Sequence, residues 1–201
     1  DIMKSIRIGH SPDPDDAFMF YGFASEQVTI PDHKIEHVLH DIQTLNELAM
    51  GRDPLEVTAL SVHGFLHVQD RYELLEVGTS VGRNYGPRLI ARECKSLEDL
   101  RGMRVALPGP YTTATLVARK MIPDMREVHM DFTHIMDAVR KGSVEAGVII
   151  HEGQLTYADE GFKLLADLGV LFSERHNGLP LPLGVNCIRA DLSAALKTTV
   201  A

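Results

Sequence analysis

The hydrophobic positions of this chain fall either in short continuous runs or at helical spacing. Val148-Ile149-Ile150 is a branched apolar run typical of a strand buried on both faces, which favours parallel pairing with helices above and below. Apolar residues at helical spacing follow Asp41, which predicts a helix with Asp41 as its N-cap and Gly51 at its end. The same criteria predict strands over residues 6–9, 33–39, 56–60, 88–92, 103–107, 127–132, 148–150 and 185–189, and helices that begin after residues 16, 41, 96, 113, 133 and 153.

The order of these elements predicts an α/β protein with two lobes. Strand, helix, strand, helix, strand over residues 103–150 is a βαβαβ unit, and the first sixty residues show the same order. A glycine-rich stretch near residues 78–87 suggests that the chain passes from one lobe to the other in this region. We therefore place lobe 1 at 1–90 with a return segment at 186–201, and lobe 2 at 91–185. Each lobe is predicted to be a mostly parallel sheet flanked by helices, with a ligand cleft between them. The proline-rich segment 178–184 is predicted to be irregular.

Composition narrows the classes of partner. The chain has 201 residues, 44% of them hydrophobic, and a net charge of -8, which disfavours nucleic acid and anionic membrane surfaces. No window approaches the roughly 18 continuous apolar residues of a membrane span. We therefore expect a small-molecule partner, with a homodimer left open. Only two cysteines and a strand pattern directly after Met3, without the features of a signal peptide, indicate a cytoplasmic protein.

Polar residues that are able to bind a ligand or take part in catalysis follow several predicted strands. In open α/β sheets, ligands bind beyond the carboxyl ends of the strands, so side chains at these places are candidates. The simplest structural interpretation is that each hydroxyl and carboxylate caps a helix and that the histidine donates a hydrogen bond to a neighbouring carbonyl. A metal site is not favoured, because no second carboxylate cluster completes it. The candidates at strand ends are Ser11, Asp16, Ser61, Thr112, Thr113 and His151. Of these, only His151 has a side chain suited to proton transfer near neutral pH.

Four stretches of the chain together resemble one enzyme family. They are Ser11-Pro12-Asp13-Pro14-Asp15-Asp16-Ala17-Phe18-Met19-Phe20, Pro108-Gly109 with Thr112-Thr113-Ala114, Ile149-Ile150-His151-Glu152 with Thr156-Tyr157, and Gly178-Leu179-Pro180-Leu181-Pro182-Leu183-Gly184. In this order they resemble the 1,4-dihydroxy-6-naphthoate synthase family of the futalosine route to menaquinone. The resemblance covers nearly all of residues 4–192 and implies a periplasmic-binding-protein-like type II fold in a cytoplasmic enzyme.

The resemblance also implies a reaction and roles for residues. The family converts cyclic dehypoxanthinylfutalosine to 1,4-dihydroxy-6-naphthoate, a lyase step that uses neither metal nor cofactor. The histidine that matches His151 is the proposed general base. The matches of Thr112 and Thr113, and of the loop Ala59-Leu60-Ser61, are substrate contacts, and we expect Ser11 and Asp16 to line the same cleft.

The chain departs from the family pattern at two places, which leaves other functions open. The first loop more often reads Ser-Pro-Cys-Pro-Asn-Asp-Thr, so Asp13, Asp15 and Ala17 differ, and lysine is frequent where this chain has Ala59. Added carboxylates and a missing cation make a cleft less suited to a carboxylate ligand. A solute-binding protein of the same fold is therefore the alternative, and a ligand-sensing regulatory domain is a more remote one.

Overall fold

The computed structural model describes residues 4–94, 96–150 and 153–201. The strands are β1 (Lys4–His10), β2 (His33–Leu39), β3 (Val57–Ser61), β4 (Tyr72–Leu74), β5 (Ser80–Gly82), β6 (Arg88–Ala91), β7 (Arg104–Leu107), β8 (Arg126–His129), β9 (Ala146–Ile149), β10 (Lys163–Asp167) and β11 (Leu181–Arg189). The α-helices are α1 (Pro14–Met19), α2 (Tyr21–Ala24), α3 (Ile42–Met50), α4 (Val62–Leu66), α5 (Thr113–Met121), α6 (Ile135–Arg140), α7 (Gly153–Thr156), α8 (Leu168–Arg175) and α9 (Ala194–Val200). Short 3-10 helices cover Glu98–Leu100 and Phe132–His134.

The chain forms two compact units. The first unit contains the chain up to Ser80 together with Gly184–Ala201, and the second unit contains Val81–Leu183. This division falls earlier in the chain than the predicted boundary near residue 90. The reason is that β6 is hydrogen-bonded to β9 and β10, so the residues just before residue 90 already belong to the second sheet.

The first unit is built on a mixed sheet with the order β2-β1-β3-β11-β4. Strand β1 is parallel to β2 and to β3, with Gly9 opposite both Val38 and Thr58. Strand β11 runs antiparallel to β3, so that Asn186 lies opposite Ala59. All residues of β3 are buried, as expected for a central strand. The carboxyl ends of β1, β2 and β3 therefore share one edge of the sheet.

The second unit contains a five-stranded sheet with the order β10-β6-β9-β7-β8. Strand β7 is parallel to both β8 and β9, as the predicted βαβαβ unit requires. On its other side β9 pairs antiparallel with β6, which pairs antiparallel with β10. The apolar run at the end of β9 is in the core, since Val148 and Ile149 are both 0% exposed. The α/β class predicted from the sequence is confirmed, and both sheets are mixed.

Helix caps confirm part of the local prediction. The Asp41 carboxylate accepts from the amides of Gln43 and Thr44 at the start of α3, and Gly51 follows the last residue of this helix. The predicted role of Thr133 as a cap is wrong. The Asp131 carboxylate instead accepts from the Thr133 amide and begins a 3-10 turn before α6. An aspartate two residues ahead competes well for such an amide because its carboxylate is charged.

Two further stretches differ from the sequence prediction. The predicted helix over 154–162 is limited to α7, and β10 and α8 follow it. The proline-rich segment is partly regular, since β11 begins at Leu181 and includes Pro182. Proline is tolerated there because the pairing of β11 with β3 begins only at Gly184, so β3 needs no amide from Pro182.

Two of the compositional expectations can be compared with the structure. Cys94 and Cys187 are both free thiols. Among the described residues, no helix has the length and apolar character needed to cross a bilayer.

Candidate functional site

The loop after β1 is closed by its own polar groups. The Ser11 amide donates to a carboxylate oxygen of Asp16 at 2.7 Å, and the Ser11 hydroxyl accepts from the Asp13 amide at 3.1 Å. Asp13 occupies the N-cap position of α1 but forms no side-chain cap there. Ser11 is buried, with 8% of its surface exposed. The two predicted site residues of this loop are thus brought together, and their contact shapes the loop.

A histidine pair beneath this loop was not predicted from the sequence. His10, the last residue of β1, contacts the Ser11 carbonyl through Nδ1 at 3.0 Å and Nδ1 of His37 through Nε2 at 2.9 Å. Because a carbonyl only accepts, His10 carries its proton on Nδ1, and a neutral His10 then accepts from His37. The His10 ring stacks on Phe20 with 4.5 Å between ring centroids. The only sequence signal was a histidine at a strand end, directly before Ser11.

The chemistry of the pair favours the neutral form of His37. Burial lowers the pKa of His37, and the neighbouring His10 lowers this pKa further. Nε2 of His37 is buried and has no hydrogen-bond partner among the described residues. A positive charge on His37 would therefore be poorly compensated.

Ser61, at the end of β3, is held by a buried asparagine. Asn46 of α3 accepts from the Ser61 amide at 3.0 Å and donates to the Ser61 hydroxyl at 2.9 Å. Asn46 is 0% exposed, and a Cβ on Gly64 would lie 2.2 Å from its side-chain oxygen. Glycine at residue 64 is thus required for this contact. The Ser61 hydroxyl does not cap α4, contrary to the simplest reading of the sequence.

The other two predicted contacts, Ala59 and Leu60, lie within strand β3 and not in a loop, and their side chains face the core. Leu60 is 0% exposed and belongs to a cluster with Tyr72 and Cys187. Ala59 is 6% exposed and packs with Leu45 and Leu55. Their side chains stabilise the first unit.

In the second unit, the threonine pair follows β7 at the start of α5. The Thr112 hydroxyl accepts from the Thr115 amide at 3.2 Å and lies 2.9 Å from the Gly109 carbonyl, so Thr112 is the N-cap. The Thr113 hydroxyl donates to the Leu183 carbonyl at 2.9 Å. Both threonines are buried. The first turn of α5 presents backbone N–H groups, which suit an anion or a carbonyl oxygen.

The predicted base, His151, lies outside the described residues. The strand that leads to it, β9, ends at Ile149, and α7 begins at Gly153. Strands β7 and β9 are parallel, and Ala106 lies opposite Gly147. The carboxyl ends of β7 and β9 are therefore at the same edge of the sheet. Arg88 and Gln154, which the sequence analysis did not single out, also lie at this edge.

A pocket at the opposite edge of the first unit is a weaker candidate. Its charged lining consists of three arginines and two aspartates: Arg52, Arg71, Arg189, Asp70 and Asp191. Arg71 donates to the Gly51 carbonyl at 2.9 Å, and Arg189 forms ion pairs with Asp191 and with Glu56. These contacts join Arg71 to the residue that follows α3, and Arg189 at the end of β11 to Glu56 just before β3. The described residues contain no cluster of three or more histidine, cysteine or acidic side chains that could bind a metal ion.

Comparison with known proteins identifies relatives along the whole chain. The chain is 42% identical to a 1,4-dihydroxy-6-naphthoate synthase of Thermus thermophilus over 96% of its own length and 70% of that protein. It is 45% identical to a protein of Archaeoglobus fulgidus of known structure, with a TM-score of 0.89, over 98% of this chain and 72% of the other.

A more distant comparison concerns the fold alone. The alkanesulfonate-binding protein of Xanthomonas axonopodis pv. citri is 16% identical, with a TM-score of 0.73 over 98% of this chain and 69% of the other. The fold is therefore that of periplasmic solute-binding proteins, as the resemblance of the motifs predicted.

The family model described as menaquinone biosynthesis matches residues 6–201, which include both units and every predicted site residue. With the strand-end loops and buried hydroxyls described above, and with a relative at 42% identity, the chain belongs to this menaquinone biosynthesis family.

Proposed function

We propose that this protein is a 1,4-dihydroxy-6-naphthoate synthase that converts cyclic dehypoxanthinylfutalosine by general-base catalysis. The observation that carries the proposal is the 42% identity to an enzyme of that name over 96% of this chain. Polar residues at the carboxyl ends of β1, β3 and β7 support it, because this edge of a sheet is where α/β proteins bind ligands.

In this proposal His151 is the base. A neutral imidazole takes a proton from a carbon of the substrate, and the electron pair of that C–H bond forms a new double bond. A bond of the sugar-derived ring breaks at the same time, and the departing fragment keeps its electron pair and takes the proton back from His151. Aromatisation of the naphthoate then drives the reaction forward. Histidine suits this step because its pKa lies near neutral pH, so that the unprotonated form is available. The residues assigned here require neither a metal ion nor a cofactor.

The hydroxyl-bearing residues orient the substrate in this proposal. Ser11 and Asp16 shape the loop after β1, and Ser61 is fixed by two hydrogen bonds with Asn46, one donated by the Ser61 amide and one accepted by its hydroxyl. Because Thr112 and Thr113 bond main-chain groups, we assign the substrate contact mainly to the N–H groups of the first turn of α5. Such preorganised donors stabilise negative charge that develops on a ring oxygen.

The test is turnover of cyclic dehypoxanthinylfutalosine, with the product identified by chromatography and mass spectrometry. We compare the parent protein with His151→Ala and with His151→Asn, which keeps hydrogen-bonding capacity. His176→Asn is the matched control, because His176 is exposed at the end of α8.

We expect product from the parent and from His176→Asn, and none from either His151 variant. Near-normal turnover by His151→Asn would refute the assignment of the base. Tight binding of the substrate by the parent without any product would instead favour the solute-binding alternative.

A further inference from the structure

Arg88 lies beside the end of the strand that leads to His151. It is the first residue of β6 and pairs with Ile149, the last residue of β9. Its side chain is 29% exposed, so most of it is covered by protein. An arginine at this edge needs partners, because its charge is costly to bury alone.

Three groups hold the Arg88 guanidinium. Its Nε lies 3.6 Å from a carboxylate oxygen of Asp167, and one terminal nitrogen donates to the Gln154 carbonyl. The guanidinium carbon lies 5.6 Å from the centroid of the Tyr157 ring, in cation–π contact. Asp167 is itself fixed, because its other oxygen accepts from two amides as the N-cap of α8. The planar guanidinium is suited to such simultaneous contacts, and an ammonium group is not.

Gln154 connects this arrangement to β9. Its side-chain amide donates to the main-chain carbonyl of Ile149 at 2.9 Å, and the main-chain carbonyl of Gln154 accepts from Arg88. The described residues on the two sides of His151 are therefore tied to one another and to Arg88. Ile149 and Tyr157 also pack in a hydrophobic cluster of the second unit, and the polar contacts of Arg88 and Gln154 add to this packing by holding the main chain at Ile149 and Gln154.

We propose that Arg88 is a positioning residue for the reaction: through Gln154 it holds the described backbone that flanks His151 in the sequence, at the end of β9 and the start of α7. This inference rests on the proposed function. A general base must lie within hydrogen-bonding distance of the proton that it removes, and small displacements reduce the rate strongly. Arg88 therefore acts on the chemical step more than on substrate affinity.

The experiment measures kcat and KM for Arg88→Gln, Arg88→Lys and Gln154→Met, with Arg92→Gln as the matched control. Arg92 follows the same strand, is exposed and donates to the Arg140 carbonyl. Gln154→Met removes the amide donor while Arg88 is unchanged, so the test does not depend on the folding of the Arg88 variants. The urea midpoint of each variant is measured to correct for any unfolded fraction.

We expect kcat to fall about tenfold or more in Arg88→Gln and Gln154→Met, with KM within about threefold of the parent value. Arg88→Lys retains the positive charge but lacks the planar guanidinium group, so we expect its kcat to lie between those of Arg88→Gln and the parent. Arg92→Gln keeps the parent kcat.

Three outcomes would overturn the inference. Parent-like kcat in a folded Arg88→Gln or Gln154→Met variant would show that the contacts do not matter for the reaction. A rise confined to KM would show that Arg88 binds the substrate directly. A parent that makes no product would refute the proposed function, and the inference with it, whereas an active parent with active variants would refute the inference alone.

Discussion

The contact between Asn46 and Ser61 gives the sharpest test of the first unit. Asn46→Ala removes the acceptor of the Ser61 amide and the donor to the Ser61 hydroxyl. Both residues are buried, at 0% and 3% exposure, so water does not readily replace the lost bonds. The substitution therefore leaves two polar groups of Ser61 without partners.

The expected loss follows from these two groups. An unsatisfied buried group costs roughly 1–3 kcal/mol, so Asn46→Ala should lower the free energy of unfolding by about 3 kcal/mol. Ser61→Ala removes one hydrogen bond, the one that the Asn46 amide donates to the Ser61 hydroxyl, and should cost about 1–2 kcal/mol. The double variant should cost less than the sum, with a coupling energy of about 1 kcal/mol.

The assay is urea unfolding at neutral pH, followed by far-ultraviolet circular dichroism. Gln43→Ala is the control, because its side-chain amide donates to the Glu47 carboxylate four residues on in the same helix. This control should change the free energy of unfolding by less than about 0.5 kcal/mol. A loss below about 1 kcal/mol in Asn46→Ala would show that the buried pair does not stabilise the junction of β3 and α4.

Two further predictions concern titrating side chains. Burial raises the pKa of the Cys187 thiol to about 12, so in the native protein at pH 8 an alkylating reagent should modify Cys94 well before Cys187. Equal rates under native conditions, measured by mass spectrometry of peptides, would contradict this burial. The pKa of His37 is lowered in the folded state. As the pH falls below about 6.5, the unfolded chain therefore binds a proton at His37 before the folded chain does. The free energy of unfolding decreases over this range, until the pH falls below the pKa of His37 in the folded state. His37→Asn keeps a donor toward His10 and should reduce the shift of the urea midpoint between pH 7.5 and 5.5, and an unchanged shift would disprove the role of His37.

Local features of the chain were predictable because they depend on neighbouring residues. The strand over 33–39 has the predicted bounds, and Asp41 and Thr112 cap the helices that they precede. Spacing of apolar residues determines which face of an element is buried, and a capping side chain reaches only two or three residues along the chain. The alternation of strands and helices likewise predicted an α/β fold, and the motifs predicted the family.

The partners of the polar side chains were decided only by the tertiary structure. Asn46 reaches Ser61, His10 reaches His37, and Arg88 reaches Gln154, each across elements that are distant in sequence. A hydrophobic pattern cannot specify such pairs, because it does not encode which elements become neighbours or in which register.

The roles of the predicted site residues show the same division. The sequence determined that Ser11, Ser61 and Thr112 lie where strands end, since turn and cap residues mark these points. Their hydroxyl groups, however, bond main-chain or buried groups that only the folded sheet brings within reach. The antiparallel strands β6 and β11 were also set by tertiary packing, because pairing direction depends on where the chain returns to the sheet and not on the strand's own residues.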